Sequence, residues 1–262
     1  MKPATRDTAP ALLGARQVVF LCLGLLAGAL LILYIGRATD IYLMLADAMY
    51  DAGSNAFPWR HAWLTETFNH TILKSLLSLA AAYFVVAAAW DLLRPRAGRT
   101  SIDRLRLRVV GLSAVLVPLV ISTLKQASVA HCPWDLARYG GTEPYLRLFD
   151  ALPLGVPAGH CLPAGHASSA LWLVSLCVYW LPGRPQGARK AALAALLFGG
   201  LVGWMQQLRG AHFLTHTLWS IWLACAVVLT IAAVLQWWPA RRGARHTEVA
   251  PDYLADAVED AG

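Results

Sequence analysis

Charge is what this sequence has least of. Asp, Glu, Lys and Arg make up 14% of its 262 residues, against ~25% in an ordinary soluble domain. That scarcity excludes a disordered, highly charged chain and most soluble globular folds. Cysteine is too sparse, at five residues, for a disulfide scaffold, and the composition is not collagen-like. What is abundant is apolar: 58% hydrophobic residues and a mean hydropathy of +0.51. An integral membrane protein accommodates this, since helices of ~20 residues fill the length and leave little for a soluble domain.

Charge-free runs place the spans. The first is Gln17 to Gly36. The second lies between Lys74 and Asp91 and the third between Arg108 and Lys125. The fourth runs from about His166 to Pro182, the fifth between Lys190 and Arg209, and the sixth from about His216 to Pro239. Runs two and three fall short of ~20 residues, but flanking Lys and Arg can snorkel and extend them. The runs are continuous rather than alternating, which excludes barrel strands. The expected fold is all-α: a polytopic bundle of six transmembrane helices over residues 17–239. A short N-terminal segment (1–16) precedes it and a disordered tail (240–262) follows. The first span is too long for a removed signal peptide and is expected to be an uncleaved anchor.

The formal charge of +7 suggests nucleic acid until its distribution is read. Fifteen of the 22 basic residues fall on the side of the termini, six of them between Arg94 and Arg108. The positive-inside rule then puts both termini in the cytoplasm of a multi-pass protein of a bacterial inner (plasma) membrane. The basic excess is topological, and no nucleic-acid partner is expected. The outward loops are residues 37–71 and 125–165. In the first, Ile41, Leu43, Met44, Leu45, Met49 and Tyr50 suit an interfacial amphipathic helix, and Phe57, Trp59 and Trp63 suit the headgroup belt. The second is long and carries several prolines and glycines, a length that often marks function.

This topology gathers ionisable residues at one depth. Lys125 ends the third span, His166 begins the fourth, and Arg209, His212 and His216 lie where the fifth hands over to the sixth. Ionisable groups at membrane helix ends are functional candidates by default. Lys, Arg and His together suit an anion, phosphate above all. Two histidines suit phosphoryl transfer, one attacking phosphorus and one protonating the departing oxygen. Zinc on His212 and His216 is disfavoured because no third ligand motif accompanies them. His131 and His160 read as ordinary loop residues. Cys132 and Cys161 both lie outside, where disulfides persist, and are expected to be bridged.

The same residues resemble the type 2 phosphatidic acid phosphatases, which are related to vanadium haloperoxidases. The family's first motif is Lys, six residues, Arg-Pro; here Lys125 precedes Cys132-Pro133 at that spacing. Its Pro-Ser-Gly-His motif stands here as Pro163-Ala164-Gly165-His166. Its third motif, Ser-Arg, five residues, His, three residues, Asp, stands as Met205-Gln206, His212 and His216. The wider runs CPWDLARYGG, CLPAGHAS and RGAHFLTHTLW look like a bacterial membrane-associated branch.

By resemblance, His212 attacks phosphorus to give a phosphohistidine, and His166 protonates the leaving oxygen. Lys125 and Gly165 hold the phosphate, and neither metal nor other cofactor is implied. Cys132 and Gln206 replace two phosphate-binding arginines, Ala164 replaces a serine, and His216 replaces the aspartate that orients the nucleophile. Arg209, three residues past Gln206, and Arg138 in the loop are the candidate substitutes for the lost charge. His216, four residues past His212, can accept a hydrogen bond from it. The implied activity is hydrolysis of a phospholipid or polyprenyl (di)phosphate at the outer, periplasmic face. The alternatives are a lipid-to-lipid phosphotransferase and a non-catalytic lipid-phosphate binder or transporter.

Overall fold

The structure, a computed structural model, describes residues 11–96 and 98–248. Every regular element there is helical: α1 (Ala15–Ala38), α2 (Ile41–Asp47), α3 (Leu64–Leu93), α4 (Ser101–Gln126), α5 (Gly165–Leu171), α6 (Pro185–Leu208) and α7 (Leu214–Glu248). A 3-10 segment, Trp172–Trp180, continues α5. The all-α expectation is met. Five helices are long and apolar enough to cross a membrane: α1, α3, α4, α6 and the Leu214–Trp237 part of α7.

The segment expected as the fourth span takes another form. It has 7 α-helical and 9 3-10 residues. A 3-10 turn rises ~2.0 Å per residue against ~1.5 Å in an α-helix, so the two parts extend roughly 28 Å, close to the ~30 Å of a bilayer core. Two boundaries also differ from expectation. The helix of the second span starts at Leu64, not near Lys74, because residues Leu64–Leu73 wind as a π-helix that runs directly into it. The backbone after residue 240 continues as helix to Glu248. The rest of the expected tail, 249–262, and the first ten residues lie outside the described residues.

α4 is the centre of the bundle. Thr100 caps it by accepting a hydrogen bond from the Asp103 N–H at 3.3 Å. Its Val109, Val110, Val117 and Ile121 are fully buried against Leu171, Trp172, Ala224 and Val228. Lipid is as apolar as these side chains, so close packing rather than water exclusion drives such contacts. Gly111 shows how close: a Cβ there would lie 2.7 Å from the Ala88 Cβ and 3.1 Å from the Phe84 carbonyl, so α3 and α4 meet only over a glycine.

α1 is peripheral, and α7 holds it. The Trp222 Nε1–H donates to the Leu25 carbonyl at 2.7 Å. The buried Gln236 side chain accepts from the N–H groups of Leu12 and Leu13 at 3.0 and 3.2 Å, and donates to the Leu13 carbonyl at 3.0 Å. The start of α1 therefore lies beside the far part of α7.

At the opposite end, α2 presents Tyr42, Leu43 and Ala46 to Phe57, Leu136, Tyr139 and Phe213. Its apolar face covers the loop that carries the site, leaving Ile41 and Met44 exposed. Phe57, expected in the headgroup belt, is instead buried in this cluster, while Trp59 and Trp63 are exposed.

Candidate active site

The loop between α4 and α5 is fastened to itself before it reaches the second motif. Cys132 and Cys161 are disulfide-bonded, with Cα atoms 5.3 Å apart. The N–H groups of Gly159, His160 and Cys161 donate to the carbonyls of Val129, Ser128 and Ala130. Residues 128–132 and 159–161 thus run side by side, and the Pro163–His166 turn falls next to the end of α4. A Cβ on Gly165 would sit 3.4 Å from Lys125 Cδ and 3.9 Å from its Nζ. Glycine leaves that space open beside the ammonium group.

His212 is placed by the turn after α6. Gly210 has φ +72°, and a Cβ there would fall 2.3 Å from the Phe57 ring, so both conformation and space demand glycine. The Gly210 carbonyl accepts from the Trp134 N–H at 3.0 Å, tying the first motif to the third. The second is tied to α7 as well: the Ala164 N–H donates to the His216 carbonyl at 3.1 Å, and the Ser220 hydroxyl to the Ala164 carbonyl at 3.0 Å. Ala164, where the resemblance implies a serine, is fully buried.

The histidines consequently form a chain. His212 and His216 have Nδ1 atoms 3.4 Å apart, and His212 Nδ1 lies 3.4 Å from Cys161 Sγ. The His166 and His212 ring centroids are 6.3 Å apart. Burial first, then neighbouring His216, His166 and Lys125, pushes the His212 pKa well below its ordinary value. A neutral imidazole with a free lone pair is the form a nucleophile requires. The His166 Nδ1 is buried without a hydrogen-bond partner.

Arg209 caps the end of α6 and turns back along it. Its guanidinium donates to Gln206 Oε1 at 3.2 Å, to the Arg60 carbonyl at 2.9 Å and to Glu66 Oε1 at 3.3 Å. It is only 6% exposed. Arg209 thus stands beside the very glutamine that replaces the motif arginine. The side chains of His70, Lys74, Lys125 and Arg209 all lie within Coulombic range of His166.

A groove of about 540 Å³ opens beside this group, walled by α3 and α4 and floored by α5. Lys74, Lys125 and His166 stand at one end. Ser78, Ser122, Gln126, Ser168 and Ser169 come next, and Ala81, Ala114, Pro118, Leu119 and Trp172 complete the lining. The α3 residues recur at Lys74, Ser78 and Ala81, and the α4 residues at Ala114, Pro118, Ser122 and Lys125, each set one helix face.

Arg138 is not brought to this group. It makes a bidentate pair with Asp47, at 2.8 and 2.6 Å. His131 is buried and its Nε2 lies 2.9 Å from the Pro157 carbonyl. Conversely, Glu66, His70 and Lys74 were missed. Glu66 and His70 sit on the π-helical start of α3 and Lys74 is the first residue after it; Glu66, Asn69 and His70 give that start its polarity, and His70 packs on His166 with ring centroids 4.2 Å apart. A signal was present: the three residues recur every four positions.

A sequence model of the PAP2 superfamily matches residues 106–241. The chain belongs to the PAP2 superfamily. The match runs from α4 into α7 and includes every motif position from Lys125 to His216. No curated protein and no solved structure shows significant similarity to the chain. PAP2 members are phosphatases or related phosphoryl-transfer enzymes, and the apolar helices of this one suit a membrane. Cys132, Cys161 and His212 offer ligand-type atoms within 4.8 Å of one another, but the disulfide takes both sulfurs and leaves this PAP2 protein no thiolate there for a metal.

Proposed function

We propose that this PAP2 protein is a membrane phosphatase that hydrolyses a lipid phosphate or diphosphate at the outer face through a phosphohistidine. The observation that carries the reading is the groove: two lysines and a histidine at one end, serines next to them, Ala81, Ala114, Pro118, Leu119 and Trp172 beyond, and walls formed by two membrane-type helices. An anionic headgroup with a hydrocarbon tail has the same division of polarity.

In the first step, His212 Nε2 attacks phosphorus, the bond from phosphorus to the leaving oxygen breaks, and His166 transfers its proton to that oxygen. In the second, water attacks phosphorus, the P–N bond breaks, and His166 takes the water's proton. Lys125 and Arg209 neutralise the equatorial oxygens, and the Gly165 N–H lies at the start of α5 to add a donor. His216 orients His212 through the Nδ1 pair.

A six-span arrangement is part of this proposal. Leu12 and Gln236 share one end of the bundle, which requires an even number of crossings between them. The five long helices and the stretched α5 segment supply six. With the basic residues at the ends of the chain and between α3 and α4, the histidines then face the periplasm of a bacterial inner membrane.

The test is phosphate release by the detergent-purified protein from phosphatidic acid, phosphatidylglycerol phosphate, undecaprenyl diphosphate and lipid A. Release that vanishes in His212→Ala and falls with vanadate supports the reading. No release from any of them by folded, lipid-binding protein overturns hydrolysis; phosphate transfer that appears only with an acceptor lipid assigns a transferase.

A further inference from the structure

The second span carries a stripe that no PAP2 motif position accounts for. Glu66, His70 and Lys74 follow one another at intervals of four. Four residues overshoot a full turn by roughly 40° in an α-helix and fall slightly short of one in the looser π winding. Both intervals fall within the π stretch that ends at Lys74, so each step falls somewhat short of a turn and the three residues follow one another along one side of the helix. Each meets a different part of the site: Glu66 pairs with Arg209 at 3.3 Å, His70 packs on His166 at 4.2 Å between centroids, and Lys74 lines the groove with Lys125 and His166.

Lys74 is an anchor at a helix end in the simplest account, with its ammonium group reaching for lipid headgroups. The stripe argues otherwise, because the face that carries Lys74 has its two preceding members against Arg209 and His166. Lys74 and Lys125 face one groove from α3 and α4, and among the described residues neither has an acidic partner. Two like charges beside one cavity repel until an anion lies between them. Arg209 already has Glu66, whereas the two lysines have nothing.

We propose that Lys74 binds the substrate phosphate together with Lys125, as a two-lysine clamp across the groove, and restores the positive charge lost with Cys132 and Gln206. The clamp rests on the phosphatase reading for its purpose but on its own geometry for its existence. It also sets the substrate's direction: a phosphate between α3 and α4 leaves the tail to run along Ala81, Ala114 and Leu119.

Binding separates the two. In the full-length His212→Ala protein, which holds substrate without turning it over, affinity is measured for inorganic phosphate and for dihexanoyl phosphatidic acid. Lys74→Gln is expected to weaken both by about tenfold, the loss of one charge-assisted contact, and Lys74→Arg to stay near the parent. A weakening confined to the lipid arm makes the clamp specific for a headgroup held by its tail. Unchanged affinity in Lys74→Gln, in protein of parental thermal stability whose binding Lys125→Gln abolishes, overturns the clamp and leaves the phosphatase standing. A parent that binds neither probe also overturns the clamp. Intact, Lys74-dependent binding without turnover in the wild type overturns the phosphatase and leaves the clamp.

Discussion

The Nδ1 atoms of His212 and His216 lie 3.4 Å apart. Two neutral imidazoles that face each other through Nδ1 hydrogen-bond only when one of those nitrogens carries a proton and the other does not. If His212 attacks through Nε2, its proton sits on Nδ1 and is donated to His216, which must carry its own proton on Nε2. One imidazole thus does by tautomer what a carboxylate does by charge. His216→Ala is expected to lower kcat by about a hundredfold through misorientation of His212. His216→Asp is expected to retain most activity. Steady-state kinetics on the substrate found active checks both, with thermal stability followed in parallel.

His166 has a different role and predicts a different loss. His166→Gln removes the proton donor but keeps a polar side chain of similar reach. A fall in kcat of about 10²–10⁴-fold is expected for an ordinary leaving group. The loss is expected to shrink with a p-nitrophenyl phosphate ester, whose leaving oxygen needs no proton. An equal loss on both substrates would remove His166 as general acid.

Gly165→Ala tests the space beside Lys125. The added methyl would be in ordinary van der Waals contact at 3.4 Å, so stability is expected to stay unchanged. Turnover is expected to fall at least tenfold, because the methyl occupies room needed between the ammonium group and the start of α5. Thermal melting and initial rates of the purified variant decide it.

Removing the disulfide by Cys132→Ala with Cys161→Ala is expected to destabilise the protein by about 3–4 kcal/mol, the chain-entropy value for a loop of this size. The bridge also touches His212, the proposed nucleophile, through Cys161 Sγ against His212 Nδ1. Activity under reducing conditions is therefore expected to fall before the helices melt, which parallel circular dichroism and rate measurements would reveal.

The Asp47–Arg138 pair predicts a pH dependence. The guanidinium hydrogen bond holds the Asp47 carboxyl below its ordinary value. A depressed carboxyl contributes stability that is full above the unfolded-state pKa of ~3.9 and is lost as pH falls through the folded value. Wild type is expected to melt above Asp47→Asn at neutral pH, with the gap closing below about pH 4. Both side chains are partly exposed, so the gap is expected to be small and to narrow with salt. Melting curves between pH 7 and pH 3 measure it.

The existence of the apolar helices and the order of Lys125, His166 and His212 were legible in the sequence because both depend on short-range spacing, although the starts of several helices were not. A charge-free run marks a helix, and a fixed number of residues from its end marks a depth. The pairing of Arg138 was not legible for the complementary reason: its partner Asp47 is 91 residues away, and a loop arginine's spacing says nothing about where its side chain turns. Lys74 and His70 were hidden by polarity within a helix. Glu66, Asn69 and His70 look like loop residues until the π winding carries them onto the face that meets α5 and α6. The form of the segment after His166 was equally unreadable, since a buried apolar run has the same composition whether it winds as α or 3-10.

The groove lies between α3 and α4. If the substrate is the lipid phosphate proposed above and enters between these two helices, it reaches Lys74 and His166 without leaving its leaflet, and the protein meets it in two dimensions. What governs its velocity is then the mole fraction of substrate among its neighbours in the membrane. Diluting a proteoliposome suspension with buffer would leave turnover untouched, while diluting the same lipid with inert phospholipid would slow it.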